Sequence, residues 1–187
     1  ENEEDFSPAE EILKLDNICR KKLGLRDRGE AIVQPWVNGE KAPISEVTLR
    51  YTFDSEIDYS GAELALEDAD RAEVIFNGEK ADMTIIGTYV DISIFRIKLP
   101  DIKKGENTLI IKYPFGESAN LETVFVLGKF GVNLRGTEKT ITALPKKIGF
   151  GDITAQGFPF YGANITYKVP VNVQNGSLNV IASDYRG

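Results

Sequence analysis

The chain has 187 residues, of which 42% are hydrophobic and 27% are charged, and this suits one globular domain or one domain plus a fragment. Its net charge is −7, and no basic run is longer than Arg20-Lys21-Lys22, which argues against nucleic acid as a partner. No apolar run approaches the roughly 20 residues of a membrane helix, so no membrane contact is expected. Because the chain has no histidine, Ser-His-Asp and Cys-His catalysis within it are excluded, as are the common zinc sites that use imidazole.

The first segment is predicted to be a helix of about 16 residues. Ser7 suits the N-cap, Pro8 the first helical position and Glu10 a capping box, while Gly24 marks the end. The basic residues near its end, Arg20 among them, complement the helix dipole. The apolar stripe, which is expected to pack on the following domain or on a neighbour, consists of Ile12, Leu15, Ile18 or Cys19, and Leu23.

The only cysteine, Cys19, falls on this stripe and is expected to be inert. It cannot form an internal disulfide, so the compartment stays open between cytoplasmic and secreted. A start at Glu1 without methionine, and an end just after a strand-like run, suggest an excised piece.

From residue 31 onward the pattern changes to alternating apolar and polar residues, which is typical of strands with one buried face. Asn77-Gly78 predicts a two-residue type I′ turn. The prediction is a mainly β protein, an antiparallel β-sandwich with one N-terminal α-helix. The predicted strands cover residues 46–53, 62–66, 73–76, 93–99, 108–113, 123–127, 132–135, 139–143, 165–173 and 178–182.

Prolines at 145, 159 and 170 make residues 144–159 the best candidate boundary. Three segments are therefore expected. Residues 1–30 form the helix and a connector, and residues 31–145 form the sandwich. Residues 146–187 form a junction and strands that either start a second sandwich or complete the first.

Two short stretches carry a family resemblance: "AEVIFNGEKAD" and, about 25 residues later, "LPDIKKGENTLIIKY". This pattern resembles the sugar-binding jelly roll of glycoside hydrolase family 2 enzymes and related galactose-binding-like domains. Gly105 supplies a flexible or positive-φ corner and Asn107 can hydrogen-bond nearby backbone, so the motif indicates mainly the fold. The matching positions are Val74, Phe76, Asn77, Gly78, Leu99, Ile102, Lys104, Gly105, Asn107, Leu109 and Ile111.

Further stretches resemble segments outside the catalytic domain of large bacterial glycosidase-like proteins; they are "LDNICRKKLGL", "QPW", "NLETVFVLGKFGV" and "GFGDITAQGFPFYGANITYKV". The resemblance implies a bacterial, non-catalytic module whose partner is the catalytic domain of the same polypeptide. The family 2 catalytic barrel needs roughly 250 residues, so no catalytic residue is assigned here.

A non-catalytic module commonly holds sugar on aromatic rings with polar neighbours. The preferred sugar-binding residues are Trp36, Tyr89, Asp91 and Tyr161, because these rings stand beside Gly, Asn or Asp in loops. Packing in the core or at an interface is the alternative for each ring, as for Tyr59 and Phe160. No cofactor is expected; a structural calcium at Glu67–Asp70 is weakly supported, since the spacing is not that of a calcium loop.

Three functions remain open from the sequence. The first is a β-sandwich module of a larger glycoside hydrolase-like protein, which supports the catalytic domain and contacts sugar. The second is a domain or subunit interaction module without a sugar site. The third is a carboxylate-based glycosidase, which would need two acids about 5 to 10 Å apart and has only generic acids to support it.

Overall fold

The computed structural model describes residues 6–28, 39–173 and 176–181, so Trp36 lies outside the described residues. Within this part of the chain there is one α-helix and a set of ten strands, followed by a single 3-10 turn at Thr154–Gln156. In chain order the elements are α1 (Ile12–Lys22), β1 (Ser45–Ser55), β2 (Glu63–Leu66), β3 (Glu73–Phe76), β4 (Glu79–Lys80), β5 (Gly87–Tyr89), β6 (Asp91–Lys98), β7 (Gly105–Phe115), β8 (Phe125–Leu127), β9 (Gly131–Arg135) and β10 (Glu138–Thr142).

The strands form two sheets. The larger sheet has the order β4-β3-β7-β1-β10-β9, and the smaller has the order β5-β6-β2-β8. Strands β1 and β7 pair along their whole lengths, from Ser45 opposite Phe115 to Ser55 opposite Gly105. The mainly β architecture with one helix is confirmed. One pair departs from the antiparallel expectation, because β10 runs parallel to the last two residues of β1.

Both sheets contribute to one hydrophobic core, as in a β-sandwich. Leu49, Phe76 and Ile111 project from the larger sheet, and Leu64 and Ile97 from the smaller. The predicted inward face of β1 is confirmed, since Leu49 is buried and its apolar neighbours Val47, Tyr51 and Phe53 pack against the core. Alternation therefore identified the buried face of the longest strand pair.

The turn chemistry of the resemblance motif is structural. Asn77 and Gly78 have φ values of 50° and 81°, as the predicted type I′ turn requires, and they join β3 to β4. The fully buried Asn107 donates to the carbonyls of Lys103 and Gly105 and accepts from the Asn77 amide at 2.8 Å. These bonds tie two turns of the larger sheet together, which agrees with the expectation that the motif reports fold.

Helix α1 begins later than expected. It starts at Ile12 rather than near Ser7, because the Glu11 carboxylate accepts hydrogen bonds from the N–H groups of Leu13 and Lys14 and so serves as the N-cap. The predicted end is confirmed: Gly24 has a φ of 69°, and the Leu25 N–H donates to the Arg20 carbonyl at 2.9 Å. The helix therefore has 11 residues rather than about 16.

The apolar stripe of α1 packs against the core as predicted, through Ile12, Leu15, Cys19 and Leu23. The basic last turn is confirmed, with Arg20 in it. The Arg20 side chain is also buried and pairs with the buried Asp16, which the sequence did not indicate.

The buried pair links α1 to the segment 116–122. The Arg20 guanidinium donates to the Ala119 carbonyl and lies 5.7 Å from the centre of the Phe115 ring. Asp16 accepts from the Leu121 N–H at 2.7 Å. The helix is thus held to the sandwich by polar contacts as well as by its apolar stripe.

The C-terminal strand predicted at 165–173 is not formed, and of the strand predicted at 178–182 the described residues 178–181 are not in a strand. No strand is assigned between residues 143 and 173 or at residues 176–181, and every residue from 160 to 173 is exposed. The alternation is present, but no described strand pairs with this segment, and backbone pairing is what makes a strand. The short strands β4 and β5 were not predicted, since two or three residues give no periodic signal.

Candidate functional site

Two of the predicted sugar-binding residues meet at one end of the smaller sheet, where β5 turns into β6. Tyr89 is the last residue of β5, Asp91 is the first of β6, and the two are paired across the turn. We call residues 89–94 the β5–β6 tip. The structure therefore brings Tyr89 and Asp91 together as adjacent parts of one turn.

The β5–β6 tip contains an irregularity in strand pairing. Thr88 pairs with Phe95 and Tyr89 pairs with Asp91, so residues 92–94 have no partner on β5. The Asp91 carboxylate accepts from the N–H of Ser93 at 2.9 Å and from its hydroxyl at 2.8 Å. These hydrogen bonds hold the pKa of Asp91 below its usual range. Asp91 thus has a structural role, which is to fix the bulged segment.

Tyr89 is half-buried, and its ring lies 5.4 Å from the ring of Phe125 at the start of β8. This contact spans the smaller sheet from β5 to β8 and leaves only part of the Tyr89 ring accessible. A flat, fully open stacking platform for sugar is therefore not present at this residue.

Acidic groups surround this end of the sheet. Burial raises the pKa of Glu67, which directly follows β2, and the carboxylates of Glu122, Asp68 and Asp91 raise it further. Burial likewise raises the pKa of Asp68, whose backbone φ is 51°. Burial and the neighbouring carboxylates therefore make ionisation of Glu67 and Asp68 less favourable than in water, although Arg28 and Arg71 oppose part of this effect.

Arg28 is the cationic counterpart of this acidic surface. Its guanidinium forms an ion pair with Glu122 and donates to the Leu121 carbonyl at 3.0 Å. The connector after α1 is in this way joined to the segment that precedes β8. Sequence reasoning missed both Arg28 and Glu122, because 94 residues separate them along the chain.

Tyr161 lies in a different part of the molecule. It lines a shallow cleft of about 250 Å³, together with Ile148, Ile153, Phe158 and Ile165 among others. Its hydroxyl donates to the Asn164 carbonyl at 3.0 Å. The whole lining comes from residues 148–166, so this cleft does not include Tyr89 or Asp91.

Asp152 does not line the cleft either. Its carboxylate accepts from the hydroxyl and the N–H of Thr154, and these bonds lower the pKa of Asp152. Among the other aromatic residues, Tyr59 packs edge-on against Phe130 and accepts from the Lys129 N–H at 2.8 Å. Phe160 is exposed. The predicted four-residue sugar site is therefore divided between two places, with Trp36 outside the described residues.

The β5–β6 tip also exposes two aliphatic residues that sequence reasoning passed over, Val90 and Ile92, with 91% and 85% of their surfaces accessible. Val90 has a φ of 62°, which a β-branched residue rarely adopts. The only signal in the sequence for an unusual turn here is that its centre contains no glycine, asparagine or proline.

Within residues 6–28, 39–173 and 176–181, no group of three Asp, Glu or Cys side chains is placed to hold a metal ion, so the Glu67–Asp70 stretch has no ligand set there. The same residues contain no helix long and apolar enough to cross a membrane.

Comparison of the chain with protein-family models, with curated proteins and with solved structures gave no match in any of the three.

Proposed function

We propose that this chain is a non-catalytic β-sandwich module, of the jelly-roll, galactose-binding-like kind, that supports an adjoining catalytic domain in a larger bacterial carbohydrate-active protein. The observation that carries the proposal is a row of exposed apolar side chains after the sandwich. We call residues 163–173 the C-terminal segment; the row on it is Ile165, Tyr167, Val169, Val171 and Val173.

The sequence around this row is typical of a strand that buries one of its faces. Apolar residues alternate with Asn164, Thr166, Lys168, Pro170 and Asn172, so a strand formed by this segment would have one apolar face and one mainly polar face. Every residue of the segment is exposed, and none belongs to a described strand pair. Exposed apolar patches commonly mark contacts with other proteins.

The segment is anchored at its start. The Tyr167 ring lies 4.7 Å from that of Phe150, and the Gly157 carbonyl accepts from the Val132 N–H of β9 at 2.8 Å. The junction thus sets where the segment leaves the sandwich, which is what a rigid connection between two packed domains requires.

Hydrogen exchange on the chain and on the natural gene product tests the proposal. In the chain alone the amides of 163–173 should exchange rapidly, and in the natural gene product they should be protected, while β7 amides stay protected in both. Rapid exchange of 163–173 in both samples would contradict the proposal. Hydrolysis of chromogenic glycosides by the chain alone, screened at several pH values, would contradict the non-catalytic assignment.

A sugar site at the β5–β6 tip is the second candidate, because Tyr89 and Asp91 meet there beside Glu67. A glycan array on the chain is the test, followed by titration of any sugar found. Tyr89→Ala should then weaken binding at least tenfold, whereas Tyr161→Ala should not. If Tyr89→Ala leaves the affinity unchanged, a sugar site at the β5–β6 tip is wrong.

A further inference from the structure

The backbone conformation of Val90 is strained and therefore lowers the stability of the folded state. Its φ of 62° lies in the left-handed region, which is unfavourable for residues with a Cβ and most unfavourable for β-branched ones. In the part of the chain that the structure describes, the other two non-glycine residues with positive φ are Asp68 and Asn77, whose types tolerate it better. Since 91% of the Val90 surface is accessible, burial does not compensate for this strain.

Ile92 lies two residues after Val90, in a segment that hydrogen bonds hold in place. Ile92 belongs to the bulged residues 92–94. Its two neighbours in sequence are joined, because the Ser93 N–H and hydroxyl both donate to the Asp91 carboxylate. The Tyr89 ring on Phe125 secures the base of the tip. Two aliphatic side chains therefore project from a constrained turn, which lowers the entropy lost when they are buried against another surface.

The surroundings of these two side chains are acidic. Asp91 lies between them in sequence. The carboxylates of Glu122, Asp68 and Asp91 all raise the pKa of Glu67, and Arg28 offsets part of this negative charge. A partner would gain from positive charge around the place where the aliphatic pair enters.

We propose that Val90 and Ile92 are the anchors of a protein-docking surface, which enter an apolar pocket whose rim carries Lys or Arg side chains. A central apolar anchor with a charged rim is the usual arrangement of a small interface. The tip belongs to the smaller sheet and the C-terminal segment follows the larger one, so either contact can be lost without the other.

Selection from a displayed library of random 12-residue peptides tests this proposal on the whole chain. Enriched peptides should combine aliphatic or aromatic residues with flanking Lys or Arg, and the double variant Val90→Ser, Ile92→Ser should lose at least tenfold in affinity for them. The matched control is Val180→Ser, Ile181→Ser, which changes the same residue types at 84% and 90% exposure and should bind normally.

The variant Val90→Gly distinguishes a loss of peptide binding from a loss of folding stability. It removes the strain and the side chain together, so it should fold at least as stably as the natural chain and still bind the peptides more weakly. Unchanged binding by Val90→Gly would overturn the role of Val90.

Other results would overturn the proposal as a whole. In the peptide selection these results are no enriched peptides, peptides with Asp or Glu rather than Lys or Arg beside the apolar residues, or an equal loss of affinity in the control variant. In sedimentation, the contrary result is a concentration-dependent dimer that the tip variant abolishes. In a flotation assay, it is binding to phosphatidylcholine–phosphatidylglycerol vesicles that depends on the tip. The last two would assign the tip to a second copy of the chain or to a lipid surface.

Discussion

Strand β1 and the C-terminal segment carry the same alternation of apolar and polar residues, yet they have opposite surroundings. Strand β1 lies between β7 and β10, and its apolar residues face the core. The apolar residues of the C-terminal segment are exposed, and no described strand pairs with it. The comparison teaches that alternation reports the ability of a segment to bury one face, whereas a paired neighbour decides whether it does so.

The largest expected difference concerns two phenylalanines, one in the core of the sandwich and one just before the C-terminal segment. Phe76→Ala removes a fully buried ring and should lower the free energy of unfolding by about 3–5 kcal/mol. Phe160→Ala, at an exposed ring, should change it by less than about 0.5 kcal/mol. Urea denaturation followed by circular dichroism measures both, and similar losses would show that the C-terminal region is part of the folded core.

The second comparison uses aspartates. Asp16→Ala leaves the buried Arg20 without its carboxylate and the Leu121 N–H without an acceptor, and should cost about 3 kcal/mol. Asp152→Ala affects only the turn at Thr154 and should leave the unfolding midpoint nearly unchanged. If the double variant Asp16→Leu, Arg20→Met is as unstable as Asp16→Ala, loss of the charge balance is not the cause.

A third, smaller effect has the opposite sign. Val90→Gly should raise the free energy of unfolding by about 1 kcal/mol, because glycine adopts the left-handed conformation without strain. Val171→Gly in the C-terminal segment should give no gain. A loss of stability in Val90→Gly would show that the Val90 side chain contributes to folding.

The smallest effect depends on pH. Folding raises the pKa of Glu67 above its ordinary value of 4.5, so in the interval above 4.5 the native state binds more protons than the unfolded state. Stability is therefore lost as pH rises through this interval. Glu67→Gln should remove the loss and stabilise the chain at pH 7 by less than about 1 kcal/mol, since the site is partly screened by solvent.

The control for this pH effect is Glu138→Gln, at an exposed position of β10. The advantage of Glu67→Gln over the natural chain should shrink as the pH falls towards 4.5, while Glu138→Gln should show no such trend. An advantage that is constant from pH 4.5 to 7 would rule out titration of Glu67 as its cause.

Most strands of the sandwich were predictable because their signals are local. Alternation located β1 and β7, and Asn77-Gly78 located the turn between β3 and β4. The candidate site was predictable only in part. Tyr89 and Asp91 were selected for their loop context and do meet, but Glu67 and Glu122 enter the site through contacts between distant parts of the chain.

The sequence by itself determined the mainly β class, the end of the helix at Gly24 and the buried faces, since each follows from residue type and spacing over a few positions. Only the tertiary structure decided that Arg20 is buried against Asp16, that β10 joins β1 in parallel, and that Val90 is strained and exposed. The physical reason is that burial of charge, strand order and backbone strain depend on which distant segments come into contact. The same holds for the C-terminal segment, whose alternation needs a partner before it becomes a strand.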